Sequence, residues 1–262
     1  MAAELNKRFS RSWQVQASYT WSKSIDDVSD FGGVLVNDSY LSQNPFDLRN
    51  SRGVSQFDIP HRLVVNHILE PQIFRSLTGV SGKVLYGWSF NGIFQTQSGF
   101  PTNIFAGTRL GITDAALSGN SAANQVRANV AGDLSSLVFA PAGSPEAARI
   151  PAPAARGVDS TAAQRNSNTS GYALVQPLLG QYGTLGRNDF RLNGLTQFDW
   201  VVMKNTAVRE NVKVQFRADF FNVFNNTSFA GFQNVLTSPA FGTYQATDTR
   251  PREIQLGLKL LW

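Results

Sequence analysis

Apolar and polar residues alternate one by one over several stretches of the chain. That is the period of a β-strand, whose successive side chains point to opposite faces. Between Trp13 and Ser22 the odd positions are Trp13, Val15, Ala17, Tyr19 and Trp21, and the even ones are Gln14, Gln16, Ser18, Thr20 and Ser22. Near the other end Ile254, Leu256, Leu258, Leu260 and Trp262 form one face, against Glu253, Gln255, Gly257 and Lys259, with Leu261 the single break. Val212, Val214, Phe216, Ala218 and Phe220 alternate with Lys213, Gln215, Arg217 and Asp219. Val84, Tyr86, Trp88, Phe90 and Phe94 oppose Ser89, Asn91, Gln95 and Gln97, with a gap at Gly92. Weaker alternation covers 61–69, where Val64 and Ile68 spoil the polar face, and 194–204, where Phe198, Trp200 and Val202 oppose Gln197 and Asp199. Residues 3–8 read as the tail of a further strand. The pattern predicts strands near 3–8, 13–24, 61–69, 84–98, 194–204, 211–221 and 252–262, with a long loop over 99–193.

A sheet apolar on one face only is expected both of a soluble β-sandwich and of a transmembrane β-barrel wall. Turning Lys213 or Arg217 to mid-membrane lipid costs about 2–4 kcal/mol, which fixes the outward phase if the sheet is a barrel. All five Trp residues, 13, 21, 88, 200 and 262, fall in that phase. Trp13 and Trp21 lie about 26 Å apart along a strand at roughly 3.3 Å per residue, close to the spacing of two aromatic girdles once the strand is tilted. The connections 9–12, 25–60, 70–83, 99–193, 205–210 and 222–251 alternate short and long, as periplasmic turns and extracellular loops do and as a sandwich has no reason to do. The expected fold is all-β: an antiparallel transmembrane β-barrel segment of about seven strands spanning residues 1–262. Seven is odd, whereas single-chain bacterial barrels use even numbers, so an incomplete barrel is expected.

Composition narrows the classes. Charged residues are 16% of the chain and hydrophobic ones 42%, against about 25% charged in an ordinary soluble domain. No window approaches the roughly 18–20 apolar residues of a membrane helix. With no Cys, neither disulfides nor thiolate metal sites arise. The opening MAAELNKRFS has no basic and apolar leader, so export is expected to rely on a signal outside these residues. The net charge of +5 comes from scattered Lys and Arg, which argues against nucleic acid as the partner. Residues 107–170, rich in Ala, Gly, Ser, Asn and Pro, read as a mobile surface loop.

Several segments resemble the Oar-like TonB-dependent receptors of acidobacteria and myxobacteria. They are SWQVQASYTWSKSIDD (12–27), FDIPHRLVVN (57–66), FNGIFQTQSGFPTNI (90–104), YGTLGRNDFR (182–191), VQFRADFFNVFNNTSFAGF (214–232) and SPAFGTYQATDTRPREIQLGLKLLW (238–262). The resemblance implies the C-terminal barrel part of an outer-membrane receptor that takes up a substrate by energy coupling, in a Gram-negative bacterium. It also implies further N-terminal strands and a plug, TonB reached only through that plug, outer-membrane lipid, and the barrel-assembly machinery reading Trp262 as an assembly signal. The central loop departs from the family pattern.

Candidate chemistry is sparse, and neither an enzyme nor a cofactor site is expected. His61 and His67 share a strand phase about 20 Å apart at ~3.3 Å per residue and cannot hold one metal. Asp26, Asp27, Asp30 and Asp38 form an acidic loop with oxygen ligands of the kind Ca²⁺ takes, but without EF-hand spacing, and a solvated loop is the favoured reading. The Gly32-Gly33 and Gly79-to-Gly82 stretches lack the following helix of a phosphate cradle. Asn225-Asn226-Thr227-Ser228 holds a glycosylation-like sequon without expected use. The site residues expected are therefore a lipid-facing or girdle set, Trp13, Tyr19, Trp21, Trp88, Trp200 and Trp262, and a lumen set, Gln95, Lys213, Gln215, Arg217, Asp219 and Lys259. A structural or adhesive outer-membrane barrel and a soluble all-β binding module stand as alternatives to transport.

Overall fold

The computed structural model describes residues 1–10, 12–29, 42–44, 46–107, 126–137, 139–144, 158–159, 173–177, 181–209, 211–236 and 238–262. Its main element is a seven-stranded sheet of β1 (Ala2–Ser10), β2 (Trp13–Trp21), β3 (His61–Leu69), β4 (Trp88–Gln97), β5 (Leu195–Arg209), β6 (Val212–Phe221) and β7 (Glu253–Leu261). Every neighbouring pair is antiparallel and adjacent in sequence, so the sheet is an up-and-down meander. It is not closed: β1 and β7 are its edges. Each interior strand is paired on both sides over most of its length, with Thr206–Arg209 of β5 paired to β6 alone, and such pairing is what a hydrocarbon environment demands.

The links confirm the short–long alternation with one change. At one end of the sheet lie 11–12 and 210–211, and at the other lie 22–60, 98–194 and 222–252. The remaining link at the short end, 70–87, is more than a turn, because a helix, α1 (Gly79–Leu85), occupies it. The strand expected from residue 84 therefore begins at Trp88, and Val84 and Tyr86 do not belong to its face. Val84 and Tyr86 alternate in phase with Trp88 by coincidence. Gly79, at φ +69°, and Gly82, where a Cβ would stand 2.2 Å from the Leu77 carbonyl oxygen, force the tight bend that starts the helix.

Three other boundaries differ by two residues or more. β2 ends at Trp21 and not at 24, as Ser22 hands its amide to the Pro60 carbonyl. β5 continues past 204 to Arg209, with a register irregularity between Ala207 and Arg209, so 205–209 is strand rather than link. β1 runs on to Ser10, and Ser12, at φ 81°, makes the reversal into β2.

The long links are not simple loops. Short paired segments lie within them: Phe190–Arg191 with Pro101–Thr102, Phe229–Phe232 with Thr243–Thr247, and Ile25–Asp26 with Gly53–Val54. The second and third long links bury a common apolar core of Ile104, Ala128, Leu174, Leu185, Leu236 and Phe241. Phe105 donates to Asn234 and accepts from Leu236, stitching those links together. Much of 107–170 lies outside the described residues, but its described part 126–137 contributes Ala128 to this core.

Candidate functional site

The pairing register sorts the strands into two faces. Trp13 pairs with Leu69, Leu69 with Phe90, Phe90 with Val202, Val202 with Ala218 and Ala218 with Leu256. By the two-residue period Trp13, Tyr19, Trp21, Trp88 and Trp200 occupy this face, and Trp262 follows Leu260 in the same phase. The opposite face carries Gln95 across from Gln197, Asp219 across from Val201 and Gln255, Arg217 across from Met203 and Gly257, and Gln215 across from Asn205 and Lys259. Lys213 pairs with Ala207 and Leu261 there. The register thus gathers all six lumen candidates on one polar face. They are knit along and across strands: Arg217 Nε donates to both oxygens of Asp219 on the same strand at 2.9 Å, and Gln215 donates across to Asn205 at 2.9 Å.

Exceptions on the apolar face are handled locally. The ring of His67 covers Gly92, where a Cβ would meet it at 2.3 Å, and stacks on Phe198. A side chain from the next strand thus fills the gap in the β4 pattern. His61 sits far along the same strand, with the Tyr19 hydroxyl hydrogen-bonded to its Nδ1 at 2.8 Å. Two lysines also belong to this face. Lys7 lies 3.9 Å over the Trp13 ring and donates to the Ser10 and Trp13 carbonyls. Lys204 donates to the Tyr86 carbonyl and lies 5.6 Å over Trp88. Both stand at the short-link end, where carbonyls and ring faces satisfy the ammonium groups.

The densest polar chemistry is at the long-link end, and of its ion-paired residues only Asp26 stood out in the sequence, as part of the acidic loop. Asp58, 2% exposed, accepts from the Ser24 amide at 2.6 Å and from the Arg191 guanidinium, which also donates to the carbonyls of Asp58 and Gly99. This one cluster ties the exits of β2 and β4 to the entries of β3 and β5. Arg187, with a 3% exposed side chain, donates to Asp26 at 2.5 Å, to Ser29 and to the Ser51 carbonyl. Burial by itself would raise the Asp26 carboxyl, but hydrogen bonds from Ser29, Arg187 and Ser55 and the Arg187 charge hold it below its ordinary value. Arg127 donates to the carbonyls of Leu185 and Asn50 at 2.7 and 2.6 Å, and Gln43 bridges it to Gly183. Burial, then the neighbouring Arg187, bring the Arg127 guanidinium down to about 10, with Asp189 opposing, so it remains charged at neutral pH.

Beside this lattice the polar face opens into a cleft of about 350 Å³, lined by Gln197, Asn222, Asp248, Arg250, Glu253 and Gln255 among others. Asn222, in the left-handed region at φ 47°, donates to the Asn226 and Arg250 carbonyls and fixes the third long link above β6. The asparagines of the sequon segment act in this turn: Asn225 accepts from the Arg252 amide, and Asn226 from Asn222.

Asp26 is committed to Arg187, while Asp30, Asp38 and Gly32-Gly33 lie outside the described residues. Among the described residues no cluster of His, Asp and Glu has metal-holding geometry. Asp26, Asp58, Arg187 and Arg191 all fall in segments that carry the family resemblance, SKSIDD, FDIPHR and GRNDFR. Reading those charged positions as partners was the signal available. What the arrangement offers chemically is a polar wall and a cross-braced collar.

A family model described as "Outer membrane beta barrel domain" matches residues 1–255. No curated protein matches the chain.

Proposed function

The chain belongs to the outer membrane β-barrel domain family, and from that premise we propose that it is part of the wall of an energy-coupled, TonB-dependent receptor. As a barrel domain of the outer membrane of a Gram-negative bacterium it is no soluble binding module. The proposed receptor presents Trp13, Trp21 and their phase-mates to lipid and Gln95, Lys213, Gln215, Arg217, Asp219 and Lys259 to the lumen. The observation that carries the reading is the polar face itself, which runs across β4 to β7 with Ile93, Val201 and Met203 set into it and opens at the long-link end of β5 to β7 into a cleft. The Oar-like segments support it, because they supply both partners of each collar ion pair. The wall needs further strands, since edges β1 and β7 in lipid would leave backbone groups unpaired at several kcal/mol each. In this reading those strands and a plug come from the same receptor, TonB acts through that plug, and the barrel-assembly machinery recognises Trp262. No enzymatic step, cofactor or nucleic-acid partner is assigned.

A structural or adhesive barrel is the second reading, favoured by the loop head's own buried core, which suits a stable display surface. Depletion of solutes from growth medium separates the two. Strains lacking this protein, or lacking the inner-membrane energy transducer, are expected to leave the same solute unconsumed. If the transducer strain leaves solutes behind and the deletion strain leaves none, transport is wrong and the display reading takes its place.

A further inference from the structure

The rim at the short-link end has an apolar surface that the sheet does not explain. In the 70–87 link Ile73 and Val80 are each 79% exposed, and Phe74, Leu77, Val84 and Leu85 are exposed as well. A turn facing water has no use for such a cluster. Two contacts place it relative to the sheet. Trp88, on the apolar face, donates Nε1 to the Val84 carbonyl at 3.1 Å, and Lys204, on the same face, donates to the Tyr86 carbonyl. The C-terminal end of α1 is therefore moored to the apolar side of the sheet, beside the Trp88 girdle position. Tyr86 closes the link on itself through its hydroxyl, which donates to Gln72 at 3.2 Å. The formal charges within 71–86 are Arg75 and Lys83, both positive and both exposed.

We propose that segment 71–86 is an interfacial anchor lying in the headgroup zone of the phospholipid leaflet on the short-link side. Ile73, Leu77, Val80 and Val84 enter the acyl boundary, while Arg75 and Lys83 meet lipid phosphates. The inference rests on the reading that the apolar face meets lipid. A lipid surface is the occupant, and not a protein partner, because the segment is moored to that face through Trp88 and Lys204 and its charge is opposite to that of anionic phospholipid. Its consequence is a lateral foot on the barrel, which fixes the depth of β4 and β5 in the membrane.

The absence of Cys from the chain makes the test clean. Single variants Val80→Cys, Ala17→Cys in mid-β2 and Phe46→Cys, at a long-link position 93% exposed, carry an environment-sensitive fluorophore on the full chain. The chain is reconstituted in phosphatidylcholine vesicles with or without phosphatidylglycerol. The anchor predicts that nitroxide lipids labelled near the headgroup quench position 80 at least about two-fold more than position 46. Paired Lys83→Gln and Arg75→Gln changes remove the part of that quenching that depends on phosphatidylglycerol. Position 17 quenched with position 80 behaving like 46 overturns the anchor and leaves the barrel standing. All three positions in water overturn the membrane reading itself. Position 80 shielded from aqueous iodide but untouched by lipid quenchers means that protein covers it, which also overturns the anchor.

Discussion

The sheet and the long-link head are built from one chain by opposite rules. In the sheet, Ala218 is the one apolar side chain that is fully buried among the described residues, and apolar groups such as Leu256 and Leu258 stand exposed. Its order comes from backbone pairing, and its apolar surface waits for a solvent that wants it. The head does the reverse: Phe241, Leu236 and Ile104 are wholly buried, and charges such as Arg187 and Asp58 are taken inside with partners. The head is organised as a water-soluble domain, the sheet as a membrane one. One class of substitution should therefore damage one region and spare the other.

The largest effect is expected from Phe241→Ala, which empties the centre of the head core and costs about 3–5 kcal/mol there. Hydrogen exchange should speed up at Ile104, Ala128 and Leu185 while amides of β2 and β3 keep their protection; loss of protection in the strands would mean the two regions are one cooperative unit. Next, Ala17→Arg on the apolar face should lower the yield of heat-resistant folded protein in detergent by an amount equivalent to about 2–4 kcal/mol. Gln16→Arg, one residue away on the polar face, should leave it almost unchanged. Equal effects would erase the distinction between the faces.

Asp26→Ala strands the buried Arg187 guanidinium. Because the Asp26 side chain is 29% exposed, the loss should fall near about 2 kcal/mol, below that of a fully buried pair. Limited proteolysis of the 22–60 link reads it out. Acid should mimic this change weakly. With its folded value depressed, Asp26 contributes stability that is fully present above the unfolded carboxyl value of about 3.9 and is lost as pH falls through the lower folded value. Between pH 7 and pH 5, the protection of head amides relative to their intrinsic exchange should then hold steady, and it should fall at about pH 3; a fall already at pH 5 would point to some other group. Smallest is Arg217→Ala. Its ion pair with Asp219 joins a 52% exposed side chain to a partner on the same strand, and thermal stability should shift by no more than about 0.5 kcal/mol.

The same contrast explains what could be read from sequence. Alternation in β2, β6 and β7 is legible because a two-residue period repeats over some nine or ten residues and any slip would reverse every side chain. The strand His61–Leu69 is less regular at Val64 and Ile68, whose neighbours across the sheet, Ser18 and Gln95, and Gln14 and Asn91, supply the missing polarity. α1 was illegible by alternation, because Val84, Tyr86 and Trp88 mimic a strand while the helix-forming bend resides in Gly79 and Gly82. The Asn205–Arg209 end of β5 has no clean apolar face, so only pairing with β6 reveals it as strand. The collar was hidden for another reason. Arg187 and Asp26 are 161 positions apart, and nothing local distinguishes a charge with a distant partner from one in solvent.

The collar at Asp58 and Arg191 also bears on descent. By binding the exits and entries of four strands to one another, it makes the wall indifferent to what is strung between residues 99 and 181. Substitutions accumulated there should therefore show first in the head's shared core, to which Ile104, Ala128 and Leu174 belong, before they reach how the wall assembles.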